Sequence, residues 1–139
     1  SIVPGITAAS AAAAAVGRSL TRRGRNAQFR LITGHDIAGY AEQDWRALAQ
    51  PGAVAAIYMG KKAARFIQGR LLMHGADPRT PISIIENSSR PEQVIREAPL
   101  NALAEALHDL AGPAVLLYGL SPRLAAEHVF QPQEADLCL

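Results

Sequence analysis

The sequence predicts an α/β domain, a mixed sheet of about four to five strands flanked by helices. Three observations carry this. Short apolar runs recur at Phe29–Thr33, Ala53–Met59, Pro81–Glu86 and Ala114–Gly119. Each run is continuous rather than alternating, the pattern of a strand covered on both faces. Between them lie segments with helical spacing, and alternation of the two types gives a sheet layered by helices.

The elements follow in order. Pro4-Gly5 precedes the alanine-rich run Ile6–Val16, which predicts a helix with Thr7 near its start and Gly17 at its end. Phe29–Thr33 is a short strand broken by Gly34. Asp44–Ala49 is a short helix stopped by Pro51-Gly52. Ala53–Met59 is a buried strand. Lys61–Met73 is a helix with Ala64, Ile67, Leu71 and Leu72 on one face, closed by His74-Gly75. Pro81–Glu86 is a second buried strand, and Val94–Ala98 a short edge strand. Pro99–Leu110 is a helix with proline in its first turn, a favoured place for it. Ala114–Gly119 is the last strand. Residues 1–120 form one domain, and 121–139 are expected to be a surface tail with a helical turn at most.

Composition narrows the function classes. The chain has 139 residues, 49% of them hydrophobic and 19% charged, an ordinary globular mix. No apolar run approaches the ~20 residues of a membrane helix, so no membrane partner is expected. Cys138 is the only cysteine, so no internal disulfide forms and a reducing cytoplasm is the expected setting. The four histidines are scattered without ligand spacing, which argues against a metal site. The net charge of +2 hides an asymmetry, because residues 1–35 hold five arginines and no acid. A basic head on a near-neutral body points to a local anionic partner, not to nucleic acid.

Ligands of open α/β sheets sit beyond the carboxyl ends of the strands. The informative residues are therefore those just after each strand. Val3-Pro4-Gly5-Ile6-Thr7-Ala8-Ala9-Ser10 is a turn opening a helix, whose small residues and free amides can meet a ligand; by physics alone a plain helix start packed on a sheet is the readier explanation. Arg18, Arg22, Arg23, Arg25 and Arg30 suit carboxylates, since the guanidinium fork donates two parallel hydrogen bonds, or else form a solvated basic loop. Phe29 is the loop's one aromatic and fits the following strand better than a stacking platform. In Tyr58-Met59-Gly60 a soft thioether can lie against a nucleoside or a flat ring, or belong to the core. Glu86-Asn87-Ser88-Ser89-Arg90-Pro91 is a tight turn with backbone groups able to face a ligand. Thr33-Gly34-His35-Asp36 places histidine beside aspartate, but no nucleophile with suitable spacing accompanies them.

Taken in order, 3–10, Ser19-Leu20-Thr21-Arg22-Arg23, Arg30-Leu31-Ile32-Thr33-Gly34-His35, Asp44-Trp45, Tyr58-Met59-Gly60, Glu86-Asn87-Ser88-Ser89 and Gly112–Gly119 resemble the tetrapyrrole methylase family. Within it the closest likeness is to uroporphyrinogen-III C-methyltransferase, including the methylase module of siroheme synthase. The likeness spans residues 2–120.

The resemblance implies the C-terminal domain of an enzyme that transfers methyl groups from S-adenosylmethionine, leaving S-adenosylhomocysteine, to C2 and C7 of uroporphyrinogen III. The product is precorrin-2, on the way to siroheme or cobalamin. It implies two α/β domains with the cofactor between them, and a homodimer. Cofactor contacts would fall on Thr7, Ala8, Met59 and Ser88, with Ser83, Pro113 and Ala114 as weaker positions. The tetrapyrrole would meet Met59 and the arginines Arg18, Arg22, Arg23 and Arg25. No catalytic residue is expected in this half. The family's usual glycine is Ser88 here and its usual histidine is Arg22. Its N-terminal half, with the glycine-rich cofactor loop, does not precede Ser1, so a domain fragment, a proteolytic product or a split chain is expected. Negligible activity alone follows. Another methyltransferase of the same superfamily (later precorrin, diphthine or ribosomal RNA) and a non-catalytic dimerisation module are the alternatives.

Overall fold

The computed structural model describes residues 1–123 and the backbone of 128–129. The elements are α1 (Ala8–Val16), β1 (Arg30–Thr33), β2 (His35–Asp36), β3 (Gly39–Tyr40), α2 (Trp45–Leu48), β4 (Ala55–Tyr58), α3 (Ala64–Met73), β5 (Pro81–Glu86), β6 (Val94–Pro99), α4 (Leu103–Ala106), β7 (Ala114–Tyr118) and β8 (His128–Val129). A 3-10 turn, Leu100–Ala102, leads into α4.

The main sheet has the order β1-β4-β7-β5-β6-β8. β1 and β4 run parallel, while β7 lies antiparallel between β4 and β5, and β6 is antiparallel to β5. The sheet is therefore mixed, as expected, and its five longer strands are those the sequence predicts. Consequently β1, β4 and β5 all end at one edge, where β6 and β7 begin. We call this the upper end.

Alternation along the strands splits the interior in two. Ile57, Ile82, Ile84, Leu116 and Tyr118 face α2, α3 and α4. Ala56, Ile85, Val115 and Leu117 face α1. Helix α1 presents Ala9, Ala12, Ala13 and Val16 to the sheet, the spacing of one helical face. Small side chains there let the helix lie close to the strands. At its end Gly17 is left-handed (φ 66°), and the Arg18 amide returns to the Ala13 carbonyl at 3.0 Å, so the helix stops where the sequence says it should.

Three expectations are corrected. The helix expected over Pro99–Leu110 is reduced to the 3-10 turn and α4, because Pro99 completes β6. The Leu100 and Asn101 amides bond the Thr80 and Pro78 carbonyls at 2.9 Å each, tying the backbone to the preceding loop. The hairpin β2–β3 was not foreseen. Asp36 Oδ1 accepts the Ala38 amide at 2.8 Å, a local Asx turn that polar spacing alone does not reveal. Residues 121–139 were expected to be a tail with at most a helical turn, yet His128–Val129 pair in parallel with Arg96–Glu97. Residues 124–127 and 130–139 of that tail, Cys138 included, lie outside the described residues.

Candidate functional site at the upper sheet edge

Strand β4 delivers the most unusual backbone of the site. Beyond Tyr58 the chain turns at Met59, a non-glycine residue held left-handed (φ 50°) and 60% exposed. Such a conformation costs an L-residue roughly 1–2 kcal/mol, so the fold holds this thioether outward against a local preference. The core reading of Met59 does not hold. Gly60 follows because a Cβ there would lie 2.7 Å from Leu116 Cδ1. A Cβ at Gly34, ending β1, would meet Gly60 Cα and the Met59 carbonyl at 3.0 Å each. The two strand ends thus pack backbone to backbone beneath the exposed side chain.

Thr7 is the N-cap residue of α1, but its hydroxyl does not cap the helix. It pairs instead with the Tyr58 hydroxyl, which also accepts the Ala9 amide at 2.8 Å. Tyr58 thus satisfies one of the helix's orphan donors from the neighbouring strand. Among the described residues the Ala8 amide has no acceptor, and Ala8 is exposed.

Beyond β5, Ser88 sits between two left-handed residues, Asn87 (φ 51°) and Ser89 (φ 63°). Ser88 itself is not left-handed, so its side chain costs the turn no backbone strain. Its Oγ is buried without a hydrogen-bond partner among the described residues. The turn is clamped to the start of β7. The Glu86 carboxylate accepts the Gly112 amide at 2.5 Å, Lys61 Nζ donates to the Gly112 carbonyl at 3.3 Å, and the Asn87 amide donates to the Pro113 carbonyl at 2.9 Å. A side chain at Gly112 would collide with the Asn87 amide group. Pro113 and Ala114 are thereby fixed beside Ser88.

The structure therefore gathers Thr7, Ala8, Met59, Ser88, Pro113 and Ala114 at the upper end. Ser83 differs. It is fully buried in β5 and its hydroxyl donates to the Leu120 carbonyl at 2.6 Å, so it presents no side-chain atom to a ligand. Tyr58, Lys61, Glu86 and Gly112 were not singled out from sequence for these roles. Tyr58, Glu86 and Gly112 stood inside quoted motifs, but nothing there marks a tyrosine as a cap for a helix 49 residues away.

The arginines lie elsewhere. Helix α1 descends from Tyr58 to the lower edge, and the loop carrying Arg18, Arg22, Arg23 and Arg25 must enter β1 from below. Arg18 Nε donates to the Ser121 carbonyl at 2.7 Å, and a Cβ on Gly52 would meet the Arg25 carbonyl. The run from Gly52 to Met59 spans roughly 20 Å at ~3.3 Å per strand residue. One chain does not bring these arginines and Met59 to the same ligand.

His35 and Asp36 form no acid–base pair among the described residues. His35 packs edge-on against Tyr40 (centroids 5.7 Å apart), and Tyr40 stacks on Phe66 at 5.0 Å. Among the described residues no group of His, Cys, Asp and Glu can hold a metal ion, and no helix is long and apolar enough to cross a membrane.

Comparison with known proteins gives this α/β unit a family. The profile of the tetrapyrrole (corrin/porphyrin) methylases matches residues 1–104. The chain belongs to the tetrapyrrole methylase family. It is 40% identical to a siroheme synthase of Pseudoalteromonas translucida over 120 residues, covering 85% of this chain and 25% of that protein. A siroheme synthase of Edwardsiella ictaluri is also 40% identical, with 89% and 28% covered. The chain thus spans about a quarter of the length of these relatives. Among solved structures, uroporphyrin-III C-methyltransferase from Thermus thermophilus complexed with S-adenosylhomocysteine matches with a TM-score of 0.68 at 31% identity, over 86% of this chain and 50% of that one. Cobalt precorrin-4 methyltransferase shares the fold, with a TM-score of 0.75 at 22% identity, 86% of this chain and 51% of that one being covered.

Proposed function

We propose that this chain is the C-terminal wall of an S-adenosylmethionine-dependent uroporphyrinogen-III C-methyltransferase, methylating C2 and C7 on the route to siroheme or cobalamin. The single observation that carries this reading is the upper sheet edge: an exposed, left-handed Met59 on the same edge as the solvent-facing Ala8 amide and the clamped Ser88 turn. The family membership and the S-adenosylhomocysteine complex of the Thermus relative support the donor's identity.

The residues fit such a ligand. The Ala8 amide is a free donor at a helix N-terminus, where polar oxygen atoms are favoured. Met59 offers a polarisable apolar surface to an adenosyl group or a flat ring. The backbone of Ser88, Pro113 and Ala114 is held rigid by Glu86 and Lys61, so ordering costs little on binding. When bound, S-adenosylmethionine supplies an electrophilic sulfonium methyl. The chain's own task is to orient the donor and keep water from one side.

Transfer needs the methyl carbon and the attacking ring carbon held in line, and positioning supplies much of the rate. An open shelf does not enclose a reactant. The chain alone is therefore expected to be inactive, and to act as one wall of a shared cytoplasmic cleft within a homodimer.

Calorimetry of the chain with S-adenosylhomocysteine tests this. The shared-cleft reading predicts a dissociation constant well above the micromolar range. Sub-micromolar binding would show that the site is complete in this chain.

A further inference from the structure

We propose that the lower end of the domain carries a second binding site, for a compact polyanion with clustered phosphate or carboxylate groups, built from Arg18, Arg22, Arg25 and Arg123. Arg123 was not part of the arginine cluster read from sequence, because it lies about a hundred residues further on. The chain brings it back. Its amide donates to the Val16 carbonyl at 2.8 Å, at the end of α1. The four arginines, with Gly17 and Ser19, line one concavity of about 390 Å³.

The site is built rather than incidental. Arg22 and Asn26 exchange backbone hydrogen bonds at 3.1 and 3.0 Å, closing a tight turn. Asn26 Nδ2 pins that turn by donating to the Leu20 and Gln28 carbonyls, each at 2.8 Å. The turn brings Arg25 back toward α1. There Arg25 Nε donates to Asn26 Oδ1 at 2.6 Å, and its second terminal nitrogen to the Ser19 carbonyl at 2.7 Å. Arg18 is held through its Nε by the Ser121 carbonyl. Each of these guanidinium groups spends one or two donors on oriented carbonyls and keeps the others for a ligand.

No carboxylate within the described residues pairs with any of the four; the ion pairs there belong to Arg30, Arg70, Arg79 and Arg96. Burial, then the charges of Arg22 and Arg18, hold the Arg25 guanidinium below its usual range. A helix C-terminus favours a nearby cation, which accounts for Arg18. It does not account for a pinned turn that returns Arg25 to the same concavity, or for Arg123. Like charges gathered without compensation destabilise a fold. A multivalent oxyanion removes that repulsion and accepts paired guanidinium donors. This site is independent of the upper-end shelf, roughly 20 Å away by strand length.

The test is calorimetric titration of the whole chain with tripolyphosphate and with citrate, against sodium chloride at matched ionic strength. Saturable binding is expected for at least one polyanion. Arg22→Gln/Arg25→Gln should weaken it about tenfold or more, the scale expected for lost charge-assisted pairs. Exposed Arg46 on α2, changed to glutamine (Arg46→Gln), should leave it unchanged, and circular dichroism should show all variants folded. The tripolyphosphate and citrate arms separate a phosphate from a carboxylate ligand. Affinity no greater than the salt control would overturn the site, as would equal losses in the Arg46 variant. So would binding that appears only after Glu127→Gln/Glu134→Gln/Asp136→Asn, since the chain's own carboxylates would then be the occupant. The Arg22/Arg25 variant should keep wild-type response to S-adenosylhomocysteine, so either site can fail without the other.

Discussion

Replacing Tyr58 with phenylalanine removes one oxygen atom and tests how the sheet positions the start of α1. The ring stays, and with it the packing against the cluster beneath α1. What is lost is the acceptor of the Ala9 amide, at 2.8 Å, and the partner of the Thr7 hydroxyl. Thr7 itself makes no capping bond, so no second side chain replaces it. Losing a helix cap costs about 0.5–2 kcal/mol. Here the site is only half-buried, and water recovers part of the Thr7 bond, so about 1 kcal/mol is expected. For a chain of this length that corresponds to a fall in Tm of roughly 3–6 °C. Urea unfolding followed by far-ultraviolet circular dichroism reads the change directly, at constant m-value. A loss under about 0.3 kcal/mol would show that the hydroxyl does not anchor the helix, and would leave the free Ala8 amide without a fixed position.

Three further outcomes follow from other residues. Met59→Gly should stabilise the fold by about 0.5–1 kcal/mol, because glycine tolerates positive φ. The same variant should weaken S-adenosylhomocysteine binding severalfold, and a destabilised variant with unchanged binding would refute both halves. Leu116→Ala, fully buried between β4 and β5, should cost about 2–5 kcal/mol in denaturant unfolding. Burial raises the Tyr118 phenol above its ordinary 10.0, opposed only in part by the nearby Thr80 hydroxyl. The folded state therefore holds the proton more tightly than the unfolded one. That contribution is complete below about pH 10 and fades as pH rises through the folded pKa, so stability should fall on the alkaline side and Tyr118→Phe should flatten the fall.

The strands were the most legible feature. β5 and β7 are continuous apolar runs because both faces are covered, and their limits follow from proline, glycine and polar residues at their ends. Helix α1 was equally plain, from its alanines to Gly17. What the sequence hid was long-range. Nothing local says that Thr80 and Pro78 carbonyls intercept the expected α4 at Leu100 and Asn101. Of the positions gathered on the upper edge, Met59 and Ser88 were readable as strand tips, whereas Pro113 and Ala114, at the start of β7, came only with the family resemblance. Their union with Thr7 depended on Tyr58, and their rigidity on Glu86, Lys61 and Gly112, all contacts across 26 residues or more. The arginines were visible as a cluster, but only the course of α1 shows which end of the sheet they occupy. Ser83 looked available at a strand and is instead sealed under Leu120.

The central claim is that the strand tips around Met59 form one wall of an adenosyl site. Backbone amide shifts of the isotopically labelled chain, followed during titration with S-adenosylhomocysteine, test it most directly. The account predicts dose-dependent shifts at Ala8, Met59, Ser88 and Ala114, with residues 18–25 unmoved. Shifts confined to the arginine loop, or none at the strand tips at millimolar ligand, would contradict it.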